Sequence, residues 1–268
     1  MTLHADNWLQ IMNLNTSIQY LSKFIKKSPD ACIILGSGLD NFTELISKKI
    51  TIPYNEIPTF YQTSVQGHKG EFVYGEINNT TILCAKGRFH YYEGYTFNQV
   101  GSLIEIFNHF KPKLSIITNS SGCLNIDWDI GSLMISNKII DFSFINSTQA
   151  EEHLFKQHSF FKLAKDIAKA NKIKLNEGAY TYTIGPSYET SPEIKEIINL
   201  GGNAVGMSTF PEYLMCKKLN MNFIIISCLT NYGAGIKKNK ITHNEVLVNA
   251  KKSRKIFSSY LFKLIENI

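Results

Sequence analysis

Residues 31–42 read ACIILGSGLDNF, a short apolar run that is followed at once by a glycine turn. The run Ala31–Leu35 has the length of a β-strand, and the glycines at 36 and 38 let the backbone turn its N–H groups toward an anion. A dinucleotide-binding fingerprint would need a third glycine at position 41. That residue is Asn41, which argues against a dinucleotide site. Taken alone, such a turn is more often a plain turn than a binding loop.

Further apolar runs of strand length lie at Thr81–Ala85, Leu114–Thr118, Leu133–Ile135, Tyr180–Ile184 and Phe223–Ser227. Apolar residues at helical spacing predict helices before the Ser28-Pro29 break and at Phe97–Phe110, Phe160–Asn171, Pro192–Leu200, Pro211–Leu219 and His243–Ile265. The alternation of strands and helices predicts an α/β fold with a mostly parallel or mixed sheet. In such sheets the loops at the carboxyl ends of the strands build the binding site.

Length and composition predict one soluble domain. The 268 residues are 44% hydrophobic, and because no linker, repeat or low-complexity stretch divides them, we expect a single domain over residues 1–268. The first residues lack the pattern of a signal peptide, and no apolar segment approaches the roughly 20 residues of a membrane span. The five cysteines are an odd number without a CxxC pair, which predicts reduced thiols, a cytoplasmic location and no metal site.

The basic residues are almost all lysine. The net charge is +6, and 26 of the 28 basic residues are lysine, with arginine only at Arg88 and Arg254. The lysines are scattered among acidic residues without a basic stripe, which argues against nucleic-acid binding. Arg88 lies in KGRFHYYEGY, residues 86–95. Because arginine offers a rigid fork of donors that lysine lacks, Arg88 is a candidate for binding a carboxylate or phosphate.

Polar motifs follow several of the predicted strands and would meet at the carboxyl edge of the sheet. Besides Arg88 and His90, the candidate donors are Ser37 in the glycine turn, His68 between glycines, Asn119 and Ser120 in TNSSG, and Ser208 in GMST. Backbone N–H groups, hydroxyls and cations of this kind predict a site for a small oxyanion.

A second set of residues offers different chemistry. GPSYET, residues 185–190, supplies the aromatic Tyr188 and the carboxylate of Glu189, and TNY supplies the amide of Asn231. An amide both donates and accepts, and a carboxylate accepts N–H bonds, as the edge of a heterocyclic base requires. The alternative is that Glu189 caps the helix that starts near Pro192.

These motifs together resemble the trimeric type of purine nucleoside phosphorylase. The matching stretches occur in the family's order: ILGSGL, GHKGEFVYG, KGRFHYYEGY, TNSSGCLN, EGAY with GPSYETSPEIK, GGNAVGMSTFPE, and TNYGAGI with THNEV. The resemblance implies a single α/β domain around a mixed, partly barrel-like sheet flanked by helices, assembled as a homotrimer. It also implies reversible phosphorolysis of 6-oxopurine (deoxy)ribonucleosides to the free base and (deoxy)ribose 1-phosphate. Phosphate would be a co-substrate, with no metal or organic cofactor.

The resemblance also assigns roles to individual residues. The expected phosphate ligands are Ser37, His68, Arg88, His90, the backbone around Asn119 and Ser120, and Ser208. The expected nucleoside ligands are Tyr92 and Met207 at the ribose, His243 at the 5′-hydroxyl, and Tyr188, Glu189 and Asn231 at the base. Asn231 would stabilise the leaving purine at N7 and Glu189 would accept from N1–H, which makes these two residues and His90 the expected catalytic residues.

The sequence departs from the family pattern in three places. The loop after MISNKII is short, roughly DFSFINSTQAEE, and the segment before it reads Asn137-Lys138-Ile139-Ile140. In the family this loop places an aromatic residue in a neighbouring subunit's site, so the trimer contact is the affected feature. Cys123 stands where a glycine is usual, so the turn near the phosphate could differ.

Two other functions compete with this interpretation. A methylthioadenosine phosphorylase would share the fold but is expected to carry Asp at the position of Asn231. A non-catalytic anion-binding or nucleic-acid-binding protein would leave Glu189, Asn231 and His243 without a purpose.

Overall fold

The computed structural model describes residues 14–63, 69–145, 147–155, 158–237 and 243–268, and for 243–252 the backbone only. Within these ranges the strands are β1 (Ala31–Leu35), β2 (Ser47–Pro53), β3 (Glu71–Ile77), β4 (Thr80–Lys86), β5 (Leu114–Cys123), β6 (Leu133–Asp141), β7 (Glu151–Leu154), β8 (Leu175–Tyr182), β9 (Gly202–Gly206) and β10 (Phe223–Tyr232). The helices are α1 (14–21), α2 (Phe97–Val100), α3 (Ser102–His109), α4 (Ser159–Ala170), α5 (Ser191–Asn199), α6 (Phe210–Lys218) and α7 (His243–Ile265).

All these strands join one sheet, and five of them close into a ring. The ring runs β5, β10, β6, β8, β9 and back to β5. From the ring, β1, β4, β3 and β2 continue outward beside β5, and β7 pairs with β6. β5 is parallel to β1 and β10, whereas its pairing with β9 is antiparallel. The sheet is therefore mixed and partly a closed barrel, which confirms the predicted fold class.

The strand β1 shows why the opening stretch is apolar throughout. Its side chains alternate between two core clusters, with Cys32 and Ile34 on one face and Ala31, Ile33 and Leu35 on the other. Residues of α1, α2, α3 and α6 cover the first face, and residues of α4 and α7 cover the second. Because both faces are covered, no polar alternation remains in this strand.

Four strands are absent from the sequence-based prediction, each for a local reason. β2 ends the sheet and five of its residues in succession are exposed, and β7 is also largely exposed. Short exposed edge strands lack the apolar pattern that marks a buried strand. β9 is only five residues long and has a glycine at each end. β3 contains Gly75, where a Cβ would lie 2.6 Å from the carbonyl oxygen of Ser47.

Other elements differ in extent from the prediction: β5, β6 and β10 end later, β8 begins and ends earlier, and one helix is divided. The single helix expected at Phe97–Phe110 is divided into α2 and α3 at Gly101. A Cβ at Gly101 would lie 3.1 Å from the side chain of Met215, so the glycine lets α6 approach closely. β6 continues six residues beyond the predicted Ile135, past a register shift between Ser136 and Lys138.

Candidate active site

A cavity of about 400 Å³ opens where several strands end. It receives residues from the loops after β1, β4 and β8 and from the terminal parts of β5, β9 and β10. Its lining comprises Ser37, Arg88, His90, Tyr92, Ser120, Ser121, Gly122, Tyr188, Glu189, Val205, Gly206, Met207, Ser208, Thr230, Asn231, Gly233 and Ala234. Ten of the predicted site residues are in this set, so the motifs that sequence analysis placed at strand ends meet in one place.

The pairing of β5 explains why a cavity forms there. β10 runs along one edge of β5 for nearly its whole length. On the other edge, β1 pairs only up to Ile117 and β9 pairs only from Gly122. None of the described strands therefore pairs with residues 118–121 on that side. Thr118 fixes the end of β1 at this gap, because its Oγ1 donates to Ile34 O at 2.8 Å and accepts from Gly36 N at 3.1 Å.

Arg88 is buried in the wall of the cavity, with an exposed fraction of 1%. Its Nη1 donates to Thr118 O at 2.7 Å and to Ser208 Oγ at 3.0 Å. Its Nε lies 2.9 Å from Oε1 of Glu212 on α6, which is completely buried. This contact is an ion pair, and Nη2 has no hydrogen-bond partner among the described residues.

The structure thus modifies the role that sequence analysis gave to Arg88. Its fork is not wholly available to a ligand, because Nη1 is used by the protein and Glu212 offsets the charge. A ligand in the cavity would meet both Arg88 and Ser208, whose hydroxyl accepts a hydrogen bond from Arg88. Ser208 is itself held by Tyr180, whose hydroxyl donates to Ser208 O at 2.9 Å. Burial raises the pKa of Tyr180 to about 12, so this phenol stays protonated.

His90 is oriented by its own turn. The Glu93 carboxylate accepts from His90 N at 2.8 Å and lies 3.0 Å from His90 Nδ1. This contact assigns the proton to Nδ1 in the neutral ring, so that Nε2 is the nitrogen that can accept a hydrogen bond. The ring also stacks on Tyr92, with centroids 4.7 Å apart and planes inclined by 15°. His90 and Tyr92 therefore form one rigid face of the cavity.

Of the remaining predicted phosphate ligands, Ser37 and Ser120 line the cavity and contact each other, with Ser120 Oγ donating to Ser37 O at 2.8 Å. Asn119, whose backbone is the expected ligand, is not among the lining residues, and its role stays a prediction. It is buried and donates through Nδ2 to Thr209 Oγ1 at 3.0 Å. Thr209 has a φ of +80°, a strained value that this bond helps to hold.

The placement of Thr230 and Asn231 in the cavity depends on a β-bulge. The register of β10 against β5 shifts between Leu229 and Asn231. In a regular strand adjacent residues point to opposite faces, but a bulge re-aims a side chain. Thr230 and Asn231 consequently both line the cavity. Thr230 Oγ1 donates to Asn231 Oδ1 at 2.9 Å, and Asn231 Nδ2 donates to Tyr232 O at 3.1 Å.

Glu189 does not cap the following helix. Thr190 is the N-cap residue of α5, and Glu193 completes the capping box by accepting from Thr190 N at 2.6 Å. The capping alternative for Glu189 is therefore wrong, and this residue lines the cavity. Tyr188 beside it is 85% exposed.

Met207 and Tyr92 line the cavity next to each other. Both side chains pack against Gly185, where a Cβ would lie 2.6 Å from Met207 Sδ and 2.9 Å from Tyr92 Cδ1. Gly185 also has a φ of +72°, so the position requires glycine for space and for conformation.

Two predicted ligands lie outside what the structure describes. His68 is in the segment 64–68, and for His243 only the backbone at the start of α7 is described. Their assigned roles stay predictions.

The departures noted in the sequence have local explanations. β6 and β7 pair as a hairpin, so the short segment 142–150 simply joins them. Lys138 forms an ion pair with Glu152 across this hairpin at 2.6 Å. Cys123 is buried in regular strand opposite Ala204, and its φ is not positive. A glycine is therefore not required at this position.

Sequence analysis assigned no individual role to Glu212, Thr183, Thr230, Ser121 or Gly122. Glu212 lies in the first turn of α6, where an acidic residue is ordinarily explained by the helix dipole. Among the described residues no group of His, Cys, Asp or Glu could hold a metal ion. The described helices include none long and apolar enough to cross a membrane.

Comparison with known proteins assigns the class first. The family model described as "Phosphorylase superfamily" matches residues 30–266, and the chain belongs to that superfamily. Purine nucleoside phosphorylase 1 of Geobacillus stearothermophilus is 34% identical over 273 residues, covering 94% of this chain and 98% of the relative. The same enzyme of Bacillus subtilis is 33% identical, with 85% and 88% covered. Within the superfamily the chain is thus a member of the purine nucleoside phosphorylase family.

Solved structures agree with this assignment. The Schistosoma mansoni purine nucleoside phosphorylase in complex with inosine superposes with a TM-score of 0.84 at 29% identity, covering 96% of this chain and 97% of the other. The predicted family and the predicted enzyme class, a pentosyltransferase, are confirmed by these comparisons.

Proposed function

We propose that the protein catalyses the reversible phosphorolysis of 6-oxopurine (deoxy)ribonucleosides, with phosphate as co-substrate and without a metal or organic cofactor. The observation that carries the proposal is the pairing of two chemistries in one cavity. Arg88, His90 and Ser208 line the same cavity as Glu189 and Asn231. The volume of about 400 Å³ falls within the range of small-molecule sites, roughly 300–1,000 Å³.

The first group of residues suits a phosphate dianion. Arg88 is a buried cation with an Nη2 that no described residue accepts from, and hydroxyls of Ser37, Ser120 and Ser208 lie in the same lining. A dianion held there would stabilise the positive charge that develops on the ribose in an oxocarbenium-like transition state. We also assign His68 and the backbone at Asn119 to phosphate binding, as the resemblance implies.

The second group suits a purine with an N1–H. The Glu189 carboxylate would accept from N1–H, and Asn231 Nδ2, which has two hydrogens and donates one to Tyr232 O, would donate the other to N7. A phosphate oxygen forms a bond to C1′ as the C1′–N9 bond breaks, and the electron pair moves onto the purine. Asn231 stabilises this charge at N7, and the base then takes a proton from water.

The apolar side chains of Met207 and Tyr92 suit the ribose. They pack together against Gly185, and we place the sugar on this apolar surface, with Tyr188 against the base and His243 at the 5′-hydroxyl. A methylthioadenosine phosphorylase activity is disfavoured because residue 231 is Asn rather than Asp.

We further propose that residues 1–268 act as one domain in a cytoplasmic homotrimer. Phe144 in the segment 142–150 is 49% exposed, which supports an aromatic contact with a neighbouring subunit. Light scattering tests the assembly, and a monomer with full activity would contradict it.

The test of the reaction is incubation of purified protein with inosine, with and without phosphate. Hypoxanthine and ribose 1-phosphate should form only when phosphate is present. Arg88→Lys should raise the KM for phosphate and lower kcat, with a smaller change in the KM for inosine, which serves as the internal control. Phosphate-independent hydrolysis, or an unchanged phosphate dependence in Arg88→Lys, would refute the proposal.

A further inference from the structure

Thr183 makes a short hydrogen bond to the carboxylate assigned to the base. Its Oγ1 donates to Glu189 Oε1 at 2.6 Å. The hydroxyl also lies 3.5 Å from Gly206 O, but that distance is at the limit of a hydrogen bond. Because a hydroxyl has one hydrogen, the nearer and charged acceptor takes it. Glu189 Oε1 is thus held, and no described residue donates to Oε2.

Thr183 is itself well anchored. It follows directly on β8, its side chain is buried with an exposed fraction of 8%, and its backbone N–H donates to Gly206 O at the end of β9 at 3.0 Å. Glu189 lies six residues later in a loop whose Tyr188 is largely exposed. The hydrogen bond therefore connects a side chain on an exposed loop to the ring of strands.

Neither helix capping nor composition explains this contact. The cap of α5 is supplied by Thr190 with Glu193. Thr181, two residues before Thr183, is buried as well, yet its hydroxyl has no hydrogen-bond partner among the described residues. Burial at this end of β8 is thus not sufficient to give a threonine a hydrogen bond to Glu189.

We propose that Thr183 is a positioning residue for base recognition: it fixes one oxygen of Glu189 so that the other faces the N1–H of a 6-oxopurine. This inference rests on the proposed function. An unrestrained glutamate on an exposed loop would have to lose rotamer freedom when the nucleoside binds. The hydroxyl of Thr183 removes part of that cost before binding and selects for substrates that donate at N1.

The experiment is a double-mutant cycle that joins Thr183→Val, which keeps the shape and removes the donor, with Glu189→Ala. We expect Thr183→Val to lower kcat/KM for inosine by roughly 10-fold, the range for a hydrogen bond to a charged group, with the KM for phosphate unchanged. In the Glu189→Ala background the same substitution should cost less than about 2-fold, because coupled residues are not additive. Thr183→Ser, which restores the hydroxyl, should recover most of the activity.

Thr181→Val is the matched control, since it makes the same change at a buried threonine without a bond to Glu189, and it should leave kcat/KM near that of the parent. Additive losses in the cycle, or Thr183→Ser as poor as Thr183→Val, would overturn the positioning role. If Thr183→Val fails to fold, the Thr183→Ser comparison with the parent and with Thr183→Ala decides the point. A parent without phosphate-dependent activity on inosine would refute the proposed function instead, so the two failures are distinguishable.

Discussion

Replacing Glu212 with glutamine tests how the cation of the cavity is held. Glu212 and Arg88 are buried together, with exposed fractions of 0% and 1% and a separation of 2.9 Å between Oε1 and Nε. Glutamine keeps the shape of the side chain and removes the negative charge. The guanidinium would then be buried without its counter-ion.

Breaking a buried ion pair at one partner typically costs about 3–5 kcal/mol. Arg88 retains its bonds to Thr118 O and Ser208 Oγ, so we expect the lower end, a loss of about 3 kcal/mol in the free energy of unfolding. At this chain length the midpoint of thermal unfolding should fall by about 6 °C. Urea unfolding followed by circular dichroism measures the first quantity, and calorimetry measures the second.

The double variant Arg88→Met with Glu212→Leu is the control. It replaces both charges by apolar side chains of similar size, which is often neutral for stability. It should therefore be more stable than Glu212→Gln alone, although it loses phosphorolysis. The reasoning is refuted if Glu212→Gln unfolds like the parent, or if the double variant is destabilised at least as much as the single one.

Three further outcomes follow from the site and its supports. Asn231→Asp should lower the ratio of kcat/KM for inosine over adenosine by roughly 10-fold, and a ratio that does not move would place base recognition elsewhere. Gly36→Ala would bring a Cβ within 2.7 Å of Asn119 Cα, so we expect a loss of about 1–3 kcal/mol in unfolding free energy; a variant as stable as the parent would exclude that clash. Thr190→Ala removes the cap shared with Glu193 and should cost about 1 kcal/mol in urea unfolding with kcat/KM almost unchanged, whereas an equal loss of activity would contradict a purely structural role.

The buried strands of the fold were predictable because their sequences are apolar on both faces. Ala31–Leu35 was predicted with its observed limits, since both of its faces enter a core. β2 and β7 were not, because exposed edge strands carry no such pattern. The closure of the ring could not be read either, since the antiparallel return of β9 to β5 depends on the registers of separate strands.

The site was predictable where a residue type is unusual in its own surroundings. Arg88 is a rare arginine in a lysine-rich chain, and its neighbourhood gave the anion site. Its partner Glu212 is 124 positions away in sequence and looks like any acidic residue in a first helical turn. The joint placement of Thr230 and Asn231 depends on a bulge, which only the pairing of two strands reveals.

The ring of strands closes at a short seam, the pairing of β5 with β9. It consists of two residue pairs, Gly122 with Val205 and Cys123 with Ala204. The cavity is lined by Gly122 on one side of this seam and by Val205 on the other. A molecule that fills the cavity therefore contacts both strands and connects them non-covalently across the shortest strand pairing of the barrel. By thermodynamic linkage, a ligand at 100 times its Kd would stabilise the closed ring by about 2.7 kcal/mol. The folded fraction of the enzyme would then rise and fall with the concentration of its own substrates.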